Sequence, residues 1–177
     1  KEAEALANLK RTKPIRFDVD YFFIDTERAA VDQLQKALTA RGYAERLHTS
    51  VHVWQADFNT KATELIEHVN RRMPRSGRAI FLLDQYGYSE VPTETIRSIM
   101  TRIPAAEVIL TFNVASLLTY ITDKDGRAET LLTSAGVPGS LRGRSIEDIK
   151  LSESDWRLFI QACLYPDLIQ RCGALFY

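Results

Sequence analysis

Four short apolar runs, spaced roughly thirty residues apart, constrain the fold of this chain more than any other feature of its sequence. Each run is rich in aliphatic, β-branched or aromatic residues, and each is closed by an Asp or an Asn. The last two runs are almost continuously apolar, as strands covered on both faces are. These runs, which we predict to be β-strands, are Val19–Ile24, Val51–Ala56, Ala79–Leu83 and Val108–Phe112.

Helical patterns lie between the predicted strands, in segments Glu27–Arg41, Thr60–Met73 and Thr93–Ile103. Each places its apolar residues on one helical face, and Gly42 is positioned to end the first of them. A strand, a helix and a second strand together span about thirty residues. The alternation therefore predicts an α/β fold built on a mostly parallel sheet, with right-handed crossovers and flanking helices.

After Asn113 the pattern becomes helical, with a loop at Gly136–Gly143 and a proline, Pro166, that is expected to kink or divide the last helix. The helices predicted here are Ala115–Ile121, Arg127–Ser134 and Asp155–Arg171. We therefore predict three parts: an α/β core at residues 1–114, a helical insertion or cap at 115–173, and the start of a further strand at 174–177.

Composition limits the classes of function. The 177 residues suit one domain, and 23 basic residues balance 23 acidic residues, which argues against dominant non-specific attraction to nucleic acid or to an anionic membrane. The spacing of Cys163 and Cys172 is not that of metal ligands, and it indicates thiols in a reducing compartment. No run is long enough to span a membrane and no signal peptide is visible, so a cytoplasmic location is expected.

Several familiar catalytic patterns are missing from the sequence. The three histidines are scattered without ligand-like spacing, so a zinc site is not expected. There is no G-x-S-x-G nucleophile elbow, no G-x-x-x-x-G-K-[ST] phosphate loop and no G-x-G-x-x-G.

The residues that close the four strands are the first candidates for a site: Asp25, Asp57, Asp84 and Asn113. In open parallel sheets, ligands bind beyond the carboxyl ends of the strands. Each of these residues would project toward that edge. The alternative is that each one caps the helix that follows or forms an Asx turn.

A nucleotide would use the first two strand ends. Asp25 or Glu27 would accept hydrogen bonds from ribose hydroxyls, although acidic residues are also favoured at a helix start. Asp57 would accept a hydrogen bond from the amino group of adenine, and Phe58 would stack beside the adenine ring. The alternative for Asp57 is the N-cap of the next helix.

The most distinctive feature is Asp84-Gln85-Tyr86-Gly87, which directly follows a run of five apolar residues. It places a charge, an amide, an aromatic ring and a glycine at the end of a predicted strand. Asp84 and Gln85 would hold an exocyclic amine, while Tyr86 or Tyr88 stacks on a flat ring. Gly87 would allow close backbone approach or a positive φ. The alternative is an ordinary turn after a strand.

Two groups of arginines offer contacts to phosphate. The cluster at Arg71–Arg78 joins a helix to a strand, on the side of a parallel sheet opposite the ligand edge, which favours a solvated loop. Arg142 and Arg144 are better placed if the helical segment covers the site.

Three segments, Tyr21–Asp25, Gln55–Asn59 and Phe81–Gly87, together resemble the three-Cys-motif partner proteins of bacteria. That family has a Rossmann-like fold similar to class I S-adenosylmethionine-dependent methyltransferases. The resemblance covers roughly residues 1 to 120. It implies that Asp25 or Glu27 holds the ribose of S-adenosylmethionine, and that Asp57 and Phe58 hold its adenine.

The same resemblance bears on the loop at Asp84. The family has Asp-Pro-Phe-Gly or Asp-Pro-Tyr-Gly after its fourth strand, similar to the box with which amino-methyltransferases grip a target amine. It implies that Asp84 and Gln85 face the amine and that Tyr86 faces the ring. Gln85 stands where the family has proline. The family's glycine-rich first loop and the strand before it would lie upstream of this chain.

The sequence thus leaves three functional hypotheses. The first is a methyltransferase-like enzyme that uses S-adenosylmethionine on a nucleic-acid base or a similar planar amine. The second is a non-catalytic module of the same fold that works with a partner protein from a neighbouring gene, in a mobile-element or defence locus. The third is a nuclease in which Asp57 and Asp84 converge on Mg²⁺.

Overall fold

The computed structural model describes residues 2–9, 18–75, 77–121 and 127–174. Within them are four strands: β1 (Tyr21–Asp25), β2 (Val51–Gln55), β3 (Arg78–Asp84) and β4 (Ala105–Thr111). The same residues form eight α-helices and a 3-10 turn at Ala44–Arg46. The helices are α1 (Glu2–Asn8), α2 (Arg28–Ala40), α3 (Phe58–Arg72), α4 (Thr93–Arg102), α5 (Val114–Tyr120), α6 (Arg127–Ser134), α7 (Ile146–Ser152) and α8 (Trp156–Cys172).

The chain divides into two compact units, residues 1–58 and residues 59–177. In the first unit, β1 pairs in parallel with β2, with Tyr21 opposite Val51 and Asp25 opposite Gln55. Helix α2 connects these two strands. The buried Val31 of this helix packs with Val51 and Val53 of β2. The helix stops where predicted, because Gly42 follows its last turn with a φ of 83° that only glycine adopts readily.

In the second unit, β3 pairs in parallel with β4, from Arg78 opposite Ala105 to Asp84 opposite Thr111. Helix α4 connects these strands and packs against β4. Helix α3 reaches the end of α4, where the Asn70 side-chain amide donates to the Arg102 carbonyl at 3.0 Å.

Helices α5 to α8, with the loop before α7, build an apolar core of the second unit. Its most deeply buried side chains are Leu117, Leu132, Val137, Ile146, Ile149 and Ile160. Pro166 does not divide the last helix, since α8 runs unbroken from Trp156 to Cys172. Helix α7, which was not predicted, is capped by Ser145, whose hydroxyl accepts a hydrogen bond from the Asp148 N–H at 3.0 Å.

The α/β class and the parallel pairing are confirmed, and each of the four predicted strands is present. In the described part of the chain, however, the strands form two separate pairs and not one sheet. Backbone hydrogen bonds join β1 to β2 and β3 to β4. Apart from Ala174, the strand predicted at 174–177 lies outside the described residues. No helix among those residues combines the length and apolar character needed to cross a membrane.

Candidate functional site

The loop that follows β3 is closed by the side chain of its first residue, Gln85. Gln85 is buried, and its amide oxygen accepts a hydrogen bond from the Val91 N–H at 3.0 Å. This bond ties the beginning of the loop to its end, just before α4 starts at Thr93. The side-chain oxygen of Gln85 therefore has a structural partner within the loop. The role that the resemblance implies for Gln85 stays a prediction, because an amide oxygen can accept a second hydrogen bond.

A carboxylate closes the same loop from the other side. The two oxygens of Glu90 accept hydrogen bonds from the backbone N–H groups of Tyr86 and Gly87, at 3.1 and 3.2 Å. The backbone carbonyl of Glu90 in turn accepts from the Asn59 side-chain amide at 2.9 Å. Asn59 also accepts from the Thr95 hydroxyl at 3.3 Å, so α3 and α4 both hold the loop. The sequence offered no signal for Glu90 beyond its distance of three to four residues from the amides that it binds.

Asn113, the residue predicted at the end of the fourth strand, contacts this loop directly. Its side-chain amide donates to the Tyr86 carbonyl at 3.1 Å. Its side-chain oxygen accepts from the Ser116 N–H at 2.9 Å and so caps α5. The structure thus brings Asp84 and Asn113 to the same edge of their sheet, and Asn113 fulfils the capping alternative at the same time.

The closed loop displays two side chains outward. The Tyr86 ring is 91% exposed, although the backbone of the same residue is bonded at both its N–H and its carbonyl. Asp84 is also exposed. Tyr88 packs against the helical core, which leaves Tyr86 as the ring available for stacking. Gly87 does not have a positive φ, and a Cβ atom there would lie 3.6 Å from Glu90, so the backbone conformation does not demand glycine.

In the first unit the structure supports the capping alternative for Asp25. Its carboxylate accepts a hydrogen bond from the Glu27 N–H at 2.8 Å, which forms an Asx turn at the start of α2. Glu27 occupies the N-cap position of α2 without a side-chain capping bond. Both carboxylates are exposed, so an oxygen of either one is accessible to a ribose hydroxyl.

Asp57 and Phe58 follow the second strand of that unit. The Ala56 N–H donates to the Asp25 carbonyl at 3.0 Å, so the ends of β1 and β2 lie side by side. Asp57 is exposed and Phe58 is half-buried. The assignment of these residues to the ribose and adenine of a nucleotide stays a prediction.

The late-loop arginines differ from each other. Arg144 donates to Asp148 at 3.0 Å, to Glu153 at 2.9 Å and to the Ser152 hydroxyl at 2.6 Å. Its guanidinium also lies 4.9 Å from the centre of the Phe159 ring. The hydrogen bonds to Glu153 and Asp148 raise the pKa of Arg144 above its ordinary value. Arg144 therefore stabilises the helical region through these bonds and is not available as a phosphate contact.

Arg142 is exposed and has a φ of 53°.

Metal chemistry gains no support: among the described residues, no three His, Cys, Asp or Glu side chains are grouped as metal ligands.

The sequence matches no protein-family model, and neither the curated proteins nor the solved structures include a significant match to it.

Proposed function

We propose that this protein binds a planar ring carrying an amino group, such as a nucleic-acid base, on the loop between β3 and α4. Tyr86 would stack on the ring and Asp84 would accept the hydrogen bond of the amine. The observation that carries the proposal is the exposed Tyr86 ring on a backbone fixed by Glu90 and Asn113. A rigid loop that exposes an aromatic ring loses little conformational entropy when the ring is covered.

Single-stranded nucleic acid is the first ligand class to test. Stacking of one base on an aromatic side chain contributes about 1–3 kcal/mol by alanine substitution. We therefore expect Tyr86→Ala to weaken binding of a 2-aminopurine-labelled oligonucleotide by about 5- to 150-fold, measured as quenching of its fluorescence. Tyr120→Ala is the matched control, because Tyr120 is an exposed tyrosine of the same unit. Equal affinities for the two variants would contradict the proposal.

Methyl transfer is the activity that the resemblance to the three-Cys-motif partner proteins adds to this binding. In that case S-adenosylmethionine supplies the methyl group. Asp25 or Glu27 holds its ribose, and Asp57 and Phe58 hold its adenine, in a Rossmann-like arrangement. The proposal is supported by the parallel strand pairs and by the exposed carboxylates after β1 and β2.

Calorimetric titration of the full-length protein with S-adenosylmethionine tests the cofactor separately from the base. Binding that is weakened in the double variant Asp25→Ala, Glu27→Ala supports the assignment of these carboxylates to the cofactor ribose. An absence of binding excludes the methyltransferase hypothesis. The acceptor is tested by transfer of a labelled methyl group to DNA, RNA or protein. We expect Asp84→Ala to abolish that transfer.

One observation favours a second candidate, a methyltransferase-like module without turnover. The side-chain oxygen of Gln85, which stands where the family has proline, accepts a hydrogen bond from the Val91 N–H and so serves to hold the loop. Such a module would act with a partner protein from a neighbouring gene in a mobile-element or defence locus. Co-purification with that gene's product, combined with no methyl transfer, would support it. Transfer that depends on Asp84 would exclude it.

A further inference from the structure

Arginines gather at the edge of the β3–β4 sheet where both strands begin. The last turn of α3 contains two of them, and the last turn of α4 contains a third. A fourth lies in the connection from α3 to β3, and a fifth is the first residue of β3. We call this surface the arginine edge. Its members, all of them exposed, are Arg71, Arg72, Arg75, Arg78 and Arg102.

Two hydrogen bonds hold the elements of the arginine edge together. The Asn70 side-chain amide, which donates to the Arg102 carbonyl at 3.0 Å, joins the end of α3 to the end of α4. The Gly77 N–H donates to the Met73 carbonyl at 2.8 Å, so the connection to β3 turns back against the end of α3. Because β3 and β4 are parallel, Arg78 begins its strand at the same edge that α4 enters. The five arginines therefore belong to one surface of the second unit.

The arginine edge is basic, although the whole chain has no net charge. Residues 68–83 contain four arginines and no acidic residue, and residues 95–106 also contain no acidic residue. The carboxylates that flank these segments are Glu67 and Glu107. Within the part of the chain that the structure describes, the guanidinium groups of this edge other than that of Arg72 form no ion pair. The edge therefore presents positive charge to the solvent.

Helix dipoles account for part of this arrangement. A cation in the last turn stabilises a helix, and three of the five arginines lie in a last turn. Arg75 and Arg78 lie outside any helix, so no dipole favours them. Clustered charges of one sign repel each other and so oppose the compact state. An external anion would remove that repulsion.

Phosphate is the anionic group that this surface suits. The planar guanidinium group binds phosphate through two parallel hydrogen bonds, and every cation of the arginine edge is an arginine. Five arginines from two helices, a connection and a strand match a row of phosphates better than they match one small anion. A nucleic-acid strand supplies such a row, with one negative charge roughly every 3.4 Å.

We propose that the arginine edge binds the phosphate backbone of a nucleic-acid strand, whatever its base sequence. The choice of nucleic acid over other polyanions rests on the proposed function, whereas the positive charge of the edge does not. Arg78 and Asp84 stand at opposite ends of β3, about 20 Å apart at ~3.3 Å per residue. A ligand that reaches both the arginine edge and the loop of Tyr86 is therefore a strand of about six nucleotides or more, and not a free nucleotide.

The salt dependence of oligonucleotide binding tests the proposal. The probe is a fluorescein-labelled DNA single strand of about twelve nucleotides, twice the length that spans β3, followed by anisotropy. For a single strand, the slope of log K against log salt concentration changes by about 0.7 for each phosphate contact. Arg75→Gln together with Arg78→Gln should reduce the slope by about 1.4. The advantage of the natural protein over this double variant should then fall about sevenfold between about 50 and 200 mM salt.

Two comparisons separate this proposal from the proposed base site. Arg127→Gln together with Arg157→Gln removes two exposed cations elsewhere in the second unit and should leave the slope unchanged. Tyr86→Ala should lower the affinity without changing the slope, because stacking involves no counterion release. If Tyr86→Ala has no effect but Arg75→Gln with Arg78→Gln reduces the slope, the base site fails and the arginine edge stands. An unchanged slope in the latter double variant would overturn the arginine edge, whatever Tyr86→Ala does.

Two further results would overturn the choice of ligand. One is displacement of the oligonucleotide by poly-glutamate at an equal concentration of charge, which would show a surface for acidic protein. The other is a failure of the natural protein to bind the oligonucleotide at about 50 mM salt, where phosphate contacts are strong, while it binds phosphatidylserine vesicles through the same arginines.

Discussion

The side-chain oxygen of Gln85 and the backbone N–H of Val91 are joined by a 3.0 Å hydrogen bond that closes the loop between β3 and α4. Gln85 is buried at the point where the apolar strand ends, so its amide satisfies a loop donor that would otherwise have to be satisfied by water. The display of Tyr86 depends on this bond as much as on the bonds made by Glu90.

Gln85→Leu removes that acceptor while nearly preserving side-chain volume. We expect the free energy of unfolding to fall by about 1–3 kcal/mol, the cost of leaving a partly buried donor unpaired. Urea unfolding measures the loss. Gln161→Leu, on the exposed side of α8, is the control and should change stability by about 0.5 kcal/mol or less. If both variants unfold at the same urea concentration, the Val91 bond contributes nothing.

Gly136 and Gly139 form a matched pair of glycines. Both have positive φ, 76° and 73°, so alanine at either should cost about 1 kcal/mol of backbone strain. At Gly136 an added Cβ would also lie 2.6 Å from the Thr93 methyl group, whereas at Gly139 no atom lies within 4 Å. Gly136→Ala should therefore be destabilising by about 1–3 kcal/mol more than Gly139→Ala. Thermal unfolding of the two variants in parallel decides this, and similar melting temperatures would show that Thr93 moves aside.

Helix α7 offers a second matched pair, Ile149, which is fully buried, and Leu151, which is 89% exposed. Ile149→Ala should lower the free energy of unfolding by about 2–5 kcal/mol, because it leaves a cavity in the core of the helical region. Leu151→Ala should change it by about 0.5 kcal/mol or less. The comparison also tests the presence of α7, since a disordered segment would show no difference between the two positions.

Burial and, to a smaller extent, the negative charge of Glu94 together raise the pKa of the Cys172 thiol from 9.0 to about 11. Because the folded state keeps this proton more tightly than the unfolded state, its contribution to stability is complete below pH 9 and is lost as the pH rises toward 11. The loss should approach about 2–3 kcal/mol.

The measurement for Cys172 is urea unfolding across that pH range. The stability of Cys172→Ala should decline less steeply with pH than that of the natural protein. The difference between the two declines isolates the contribution of Cys172 from those of the other ionisable groups. Cys163→Ala, at a half-buried thiol, should keep the full decline. Parallel declines in the natural protein and Cys172→Ala would refute the link to this thiol.

The strands and most helices were predictable because their signals are local. Each apolar run stops at a polar residue, and each helix has a one-sided apolar pattern. Which strand lies beside which is not a local property, so the two separate pairs were not predicted. Helix α7 is two turns long and follows a glycine-rich loop, and its one signal was the spacing of Ser145 and Asp148.

Pro166 shows where a sound sequence rule meets its limit. Proline removes the hydrogen bond to the carbonyl four residues earlier, here that of Ala162. Ala162 and Pro166 are both exposed, so water can satisfy that carbonyl and α8 continues. At the candidate site, Asp84 and Tyr86 were predictable from the end of the strand. The support from Glu90 and Asn59 was not, because it exists only once α3, α4 and the loop have packed.

Among the described strands, β1 pairs with β2 and β3 pairs with β4, and the connection within each pair contains one α-helix. The entropy lost in closing such a connection grows only slowly with its length, and short closures favour rapid folding. During synthesis, which proceeds from the N-terminus, the β1–β2 ladder can therefore form before β3 has left the ribosome. We expect the polypeptide to acquire its two ladders in the order in which it is translated.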